Sequence, residues 1–392
     1  MKILPLKYSC LKQFICSHDY TIFYAVVILE FFREDDTICK YVTRFKKGIF
    51  VRQLNTKSRV LYFDILNILA ALSVIFLHCN GNSFRFTADL AWLQAIMVEV
   101  FCYWAVPIFM MLSGANLMNY REKYTTAEFF KKRFFKTVIP FVVWTLIVAV
   151  EKHINPFETG VRTFINDFIN CKIESVYWFF IPLFAVYLAM PIFSCLKDNY
   201  KILWYMVFGA FTINSLLPSV FSYLDLSWNY SFAMQSVGGM LIFTILGYLF
   251  SVTDFTKMQR YIIYALAISA VLLKFIGTVI LSYERDILDK TFYGYTSYIA
   301  VLQACGVFLF FKQSKIIKKI ETSKNLPKII SRISSCSFGV YLMHMVLYRF
   351  LKRYITEFHW EWRLLIPFVI YTVCLLFTYL LKKIPVFKHI VP

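Results

Sequence analysis

Charged residues are scarce in this chain. Only 17% of its 392 residues are Asp, Glu, Lys or Arg, whereas soluble domains carry about 25%. Hydrophobic residues make up 59%, and the mean hydropathy is +0.61. The apolar residues fall in blocks of about twenty, the helix length that crosses about 30 Å of hydrocarbon. This composition is atypical of a soluble protein and predicts an integral membrane protein.

A solvated basic domain is also missing, although the net charge is +19. Lys and Arg cluster in short loops between the apolar blocks, where the positive-inside rule places them. A nucleic-acid-binding protein would gather these charges on one soluble surface. The charge pattern therefore excludes nucleic acid as a partner and favours contact with membrane lipid.

Closely spaced cysteine pairs are lacking as well. None of the ten cysteines has the spacing of a zinc or redox motif, and we predict no metal site. Several lie in apolar blocks, where a thiol acts as a small hydrophobic group. They are Cys10, Cys16, Cys39, Cys79, Cys102, Cys171, Cys195, Cys305, Cys336 and Cys374.

The apolar blocks predict an all-α fold, a polytopic helical membrane bundle of about ten transmembrane helices. The second block contains Pro107 and is expected to be tilted or kinked. With the N-terminus inside, the inner loops hold about twice as many Lys and Arg as the outer loops. Both termini are therefore predicted to be cytoplasmic, in a bacterial plasma membrane. The predicted spans are residues 60–79, 90–118, 137–152, 176–196, 202–220, 232–252, 261–282, 296–311, 333–351 and 364–381.

Residues 1–58 differ from the rest of the chain. Their one apolar run, residues 20–32, is interrupted by Glu30 and is too short to span a membrane. The run is not followed by a small-residue cleavage site, which argues against a signal peptide. We interpret residues 1–58 as a cytoplasmic extension, poorly ordered or interfacial, and residues 59–392 as the membrane domain.

Ionisable side chains inside hydrocarbon are costly and therefore mark candidate functional sites. His78 in the first span and His344 in the ninth carry imidazoles, which accept protons from hydroxyl groups at neutral pH. Glu99, in the second span, enters from the same side as His78 and is placed to orient that imidazole. Structural roles fit the same positions: a helix-end cap for His78, and buried packing groups for His344 and Glu99.

A basic segment precedes the third span. Lys132, Arg133 and Lys136 fall within about one helical turn and can hold the phosphates of a nucleotide-containing donor. Attraction to anionic lipid headgroups explains the same cluster. Asp64 and Asn67 lie one turn apart on the inner third of the first span, where Asp64 can pair with Arg59 or with Arg133.

Five segments, taken together, resemble the membrane acyltransferase-3 family. They occur in the family's order and spacing over about residues 60–385, and five such segments in series are specific where any single one is weak. In chain order they are YFDILNILAA from residue 62, VPIFMMLSG from 106, KRFFKTVIP from 132, YWFFIPLFAVYLAMP from 177 and SFGVYLMH from 337.

The resemblance implies a ten-helix enzyme that transfers an acyl group, commonly from acetyl-CoA, to sugars of surface polysaccharides or their lipid-linked precursors. It also implies that His78 is the leading catalytic residue. Many relatives have an arginine eleven positions before this histidine, where this chain has Asn67. An amide cannot supply a permanent charge. We therefore expect Lys132, Arg133 and Lys136 to supply it at a donor site that includes Asn67.

A polytopic glycan exporter or flippase without acyl-transfer chemistry is the alternative function. Transporters of that kind usually contain internal repeats and broken helices in matching positions, and the sequence shows no convincing repeat. The enzyme is therefore the preferred interpretation. Its partners are acyl-CoA as donor substrate, with no permanently bound cofactor, an envelope glycan or lipid-linked sugar as acceptor, and membrane lipid.

Overall fold

The computed structural model describes residues 59–392 apart from residue 225 and residues 356–359. The prediction for residues 1–58 lies outside the described residues. Within the described part the chain is a helical bundle without β-strands, which confirms the predicted all-α class. The helices of seven residues or more are α1 Leu61–Cys79, α2 Leu90–Cys102, α3 Ala105–Leu117, α4 Thr126–Arg133, α5 Ile139–Glu151, α6 Val161–Ile169, α7 Phe180–Leu196, α8 Tyr200–Ala210, α9 Leu217–Tyr223, α10 Leu241–Val252, α11 Lys257–Arg285, α12 Tyr298–Gln313, α13 Lys315–Glu321, α14 Leu326–Lys352 and α15 Ile366–Lys383.

Eight helical stretches of the described residues are long and apolar enough to cross a membrane. A ninth results if α12 and α13 form one span, bent by 46°. The predicted span 232–252 is α-helical only over α10, whose 12 residues reach about 18 Å of the roughly 30 Å required. Just before α10, Gly239 has a φ of +58°, which a helix does not contain. The polytopic bundle is confirmed, and this one span was predicted too long.

Prolines explain irregularities in three of the spans. A proline lacks the backbone N–H, and its ring clashes with the carbonyl four residues earlier. Pro107 accordingly interrupts the regular α-helix of the second span at Tyr103, between α2 and α3. Pro140 and Pro218 each follow a π-helical turn, and the first of these turns covers Phe134–Val138. That turn widens the helix beside the basic segment.

Helices α3 and α10 meet backbone to backbone at two glycines. A Cβ added to Gly114 would overlap the carbonyl oxygen of Thr244, and one added to Gly247 would overlap the carbonyl of Met111. Small residues permit this approach in membranes, where close packing drives helix association. Gly114 ends the VPIFMMLSG segment, so that segment's glycine is required for packing.

Gly114→Ala is expected to lower the stability of the fold. The added methyl group meets main-chain atoms that cannot move aside, and overpacking of this kind costs about 1–3 kcal/mol. Gly81→Ala is the matched control, because a Cβ there has nothing within 4 Å. The thermal midpoint of the detergent-solubilised protein, followed by size-exclusion chromatography, should fall only for Gly114→Ala. Equal midpoints for the two variants would contradict the close contact.

Helix α1 carries the candidate residues to both ends of the bundle. It packs against α2, α3, α14 and α15. Asp64 and Asn67 lie near its beginning, and His78 lies in its last turn. The eleven residues from Asn67 to His78 correspond to about 16 Å along the helix axis. Groups near the two ends of α1 therefore face different sides of the membrane domain.

Candidate active site

His78 and His344 lie side by side in the structure. Their ring centroids are 5.2 Å apart, and their planes are inclined by 34°. Helix α1 supplies His78, and α14, which packs along α1, supplies His344. Both were candidates from the sequence, which did not predict that they would meet. Two imidazoles in contact are a plausible centre for proton transfer.

The hydrogen bond of His344 defines its tautomer. Its Nδ1 lies 2.6 Å from the carbonyl oxygen of Tyr341. Because a carbonyl oxygen only accepts, Nδ1 donates, and the lone pair of the neutral ring is on Nε2. His344 is 1% exposed, and its Nε2 has no hydrogen-bond partner within the described part of the chain. A buried acceptor of this kind is available to a neighbouring donor.

Two tyrosines form hydrogen bonds that hold α14 in place beside His344. The hydroxyl of Tyr177 donates to the carbonyl oxygen of Leu342 at 2.7 Å, and the hydroxyl of Tyr341 donates to that of Val176 at 2.5 Å. These reciprocal bonds tie α14 to the turn that leads into α7. They fix the rotation of α14 and, with it, the position of the His344 ring.

A small cavity of about 40 Å³ opens beside His78. This volume holds about one water molecule or one hydroxyl group. Aromatic side chains form much of its wall, among them Phe109, Trp178, Phe179 and Tyr295. The cavity gives a hydroxyl group a place next to the imidazole.

A large cavity of about 680 Å³ opens near the beginning of α1, away from His78. Arg59, Lys123, Arg133 and Lys136 bring positive charge to its lining. Arg59 forms an ion pair with Asp64 at 2.9 Å, which leaves the charges of the other three in excess. The cavity therefore suits a ligand that carries phosphate groups.

Phe109 and Phe179 line both cavities. Their ring centroids are 5.9 Å apart, in an edge-to-face arrangement. The two rings are thus the partition between the basic cavity and the cavity beside His78. A narrow chain that passed between them would connect the two spaces.

Comparison with models of protein families shows to which family the chain belongs. The acyltransferase domain of acyltransferase family 3 matches residues 60–382, which include both histidines and, apart from Arg59, the lining of both cavities. The chain belongs to this family. It matches no curated protein and no solved structure. The membrane acyltransferase that the five segments predicted is therefore confirmed at the level of the family.

The predicted donor-site residues of this acyltransferase are not all in the basic cavity. Lys132 does not line it; the Nζ of Lys132 lies 3.7 Å from the centroid of the Tyr124 ring. Asn67 does line it, and its Nδ2 also donates to the carbonyl oxygen and the hydroxyl of Ser334 at 3.0 and 3.1 Å. The amide that replaces the usual arginine thus ties α1 to α14 and borders the cavity.

A charged network lies close to the two histidines. Arg349, on α14, contacts Glu151 and Glu174 at 2.6 Å each, and Lys152 lies 3.4 Å from Glu174. Glu174 is 2% exposed and interacts electrostatically with His78. Sequence reasoning missed this network, because charges at helix ends and in loops look ordinary until the fold brings them together.

Glu99 lies in a different environment from the predicted one. It is 4% exposed on α2, and its charged neighbour is Lys274 on α11. His78 interacts electrostatically with His344 and Glu174, and Glu99 interacts with Lys274, so the pairing of Glu99 with His78 stays a prediction. Lys274 was overlooked, although a lysine in the middle of an apolar block is itself a signal of function.

Proposed function

We propose that this acyltransferase transfers an acetyl group from acetyl-CoA to a hydroxyl group of a cell-envelope carbohydrate or its lipid-linked precursor. The observation that carries the proposal is the arrangement of two cavities on either side of Phe109 and Phe179. A negatively charged donor requires the basic cavity. A hydroxyl acceptor requires a general base, which His78 provides at the small cavity.

Acetyl-CoA is the donor substrate in this proposal. Its phosphates bind among Arg133 and Lys136, since guanidinium and ammonium groups form charge-assisted hydrogen bonds with phosphate. Both side chains line the large cavity, where the phosphates of a ligand can reach them. The narrow thioester arm then extends between Phe109 and Phe179 and brings the acetyl group to His78.

His78 acts as the general base. It accepts the proton of the acceptor hydroxyl as that oxygen attacks the thioester carbonyl. The carbon–sulfur bond then breaks, and His78 returns the proton to the thiolate, so the products are the acetyl ester and free CoA. His344 packs against His78 and holds its ring in place, while Glu174 offsets the positive charge that His78 carries between the two proton transfers.

The two ends of α1 would then face different compartments. The excess of Lys and Arg in the inner loops puts both termini and the basic cavity on the cytoplasmic side of a bacterial plasma membrane. The cavity beside His78 lies toward the outer side, where envelope glycans are found. The partition formed by Phe109 and Phe179 separates the donor side from the acceptor side.

Mass analysis of envelope glycans tests this function. Cells that lack the gene should lose an acetyl ester from one glycan, and the wild-type gene, but not His78→Gln, should restore it. The purified protein in lipid nanodiscs should also transfer labelled acetyl from acetyl-CoA to that glycan. Identical glycans in cells with and without the gene would contradict the proposal.

A further inference from the structure

Lys274 is a lysine in the middle of the membrane-spanning helix α11 and is 0% exposed. Its Nζ lies 2.8 Å from the centroid of the Tyr103 ring and 4.7 Å from that of Tyr293. Within the part of the chain that the structure describes, this Nζ has no hydrogen-bond partner. The Nζ therefore lies against two aromatic ring faces and interacts electrostatically with Glu99. Burial of a charge inside the membrane costs free energy, so such residues usually have a function. The mechanism proposed above does not use Lys274.

The ring beneath Lys274 belongs to a stack that reaches the small cavity. Tyr103 stacks on Tyr295, with centroids 4.5 Å apart and planes 13° from parallel. The hydroxyl of Tyr103 accepts a 2.7 Å hydrogen bond from the backbone N–H of Gly294. Tyr295 in turn stacks on Trp178 at 5.5 Å, and both of these side chains line the small cavity.

We propose that Lys274 is a positioning residue for the acceptor. By holding Tyr103, it fixes Tyr295 and Trp178 as the wall against which the hydroxyl group of the acceptor is held beside His78. Attraction between an ammonium group and a ring face strengthens when both are removed from water, as they are here. The inference rests on the proposed function, since the wall has this purpose only if an acceptor hydroxyl enters the cavity.

Glu99 balances the charge of Lys274. Its carboxylate is buried on α2, and its Oε2 has no hydrogen-bond partner in the described residues. Removal of either charge alone would leave the other uncompensated in a low-dielectric interior, which destabilises a protein strongly. In a single variant, a loss of activity from a folding defect could therefore not be distinguished from a loss of positioning. Replacing both charges together avoids this confusion.

The double variant Lys274→Met/Glu99→Gln keeps the shape of both side chains and removes both charges. In nanodiscs, its affinity for acetyl-CoA should stay at the wild-type value, because the basic cavity is untouched. Its acetylation of the envelope glycan should fall by about tenfold, the effect of losing one desolvated cation–π contact. Because Tyr295 and Trp178 would no longer be held in place, His78 should become more accessible, and diethyl pyrocarbonate should modify it faster. The mass of the peptide that contains His78 measures this modification.

Thr278→Val is the matched control, one turn further along α11 and equally buried. It should leave all three measurements at wild-type values. Wild-type glycan acetylation and wild-type His78 modification in the double variant would overturn the proposal, since the pair would then only balance charge. Modification of His78 needs no acceptor, so this readout is independent of the proposed function. A wild-type protein that acetylates no glycan would refute that function instead.

Discussion

His78→Gln should lower acetyl transfer by about 10²–10⁴-fold, the usual effect of losing a general base. Glutamine is close to imidazole in size and forms hydrogen bonds, but it cannot accept a proton at neutral pH. His78 borders a cavity, so the change neither buries a new charge nor leaves a large void. The initial rate of labelled acetyl transfer by the purified protein measures the loss. An unchanged thermal midpoint shows that the fold persists.

His344→Gln provides the comparison for that result. His344 positions the neighbouring ring in our mechanism and does not receive the proton, so its loss should reduce the rate less than that of His78. Because His344 is 1% exposed and bonded to Tyr341, this variant should also lower the thermal midpoint. Near-normal transfer by His78→Gln would mean that the base lies elsewhere, with His344 as the next candidate.

The membrane spans could be predicted because their ends coincide with changes in local composition. Helix α1 occupies Leu61–Cys79, almost as predicted, since polar residues follow immediately at Asn80. The span 232–252 was overestimated because hydropathy does not distinguish burial in protein from burial in lipid. Val237 and Met240 are apolar and buried, yet they lie before the start of α10.

The candidate site residues could be named from the sequence, but which of them lie together could not be predicted. His78 and His344 meet because α14 packs on α1 at a particular rotation, which depends on distant contacts such as that of Tyr177 with Leu342. Glu99 was assigned to His78 because both enter from one side, but the structure sets it beside Lys274. The rotation of each helix about its axis is not a local property of the sequence.

Neighbours in the basic segment illustrate the same limit. Successive residues of a helix point about 100° apart, so adjacent charges seldom serve one ligand. Arg133 lines the large cavity, whereas Lys132 does not; its Nζ lies over the ring of Tyr124, which is part of the cavity wall. From the sequence, both residues were assigned to the same predicted donor site. Which of them lines the cavity depends on the fold.

Arg133→Gln combined with Lys136→Gln should weaken acetyl-CoA binding by about 100-fold. A hydrogen bond to a charged group is worth about 1.5–3 kcal/mol, and we take the low end for each because Lys136 is exposed to solvent. The sum of about 3 kcal/mol corresponds to that factor. Titration of the nanodisc-embedded protein with labelled acetyl-CoA measures the affinity. Lys132→Gln is the control, because it removes one positive charge from a residue of the same segment that does not line the cavity.

Measurements at different salt concentrations and lipid compositions distinguish a donor site from a simple lipid anchor. If phosphates bind Arg133 and Lys136, added salt should weaken acetyl-CoA binding to the wild type and have less effect on the double variant, because fewer charges remain to be screened. If the segment only attracts anionic headgroups, Lys132→Gln and the double variant should alter the lipid preference of the protein in proportion to the charge removed. Acetyl-CoA affinity would then be unchanged in both variants, and the basic cavity would lose its role as the donor site.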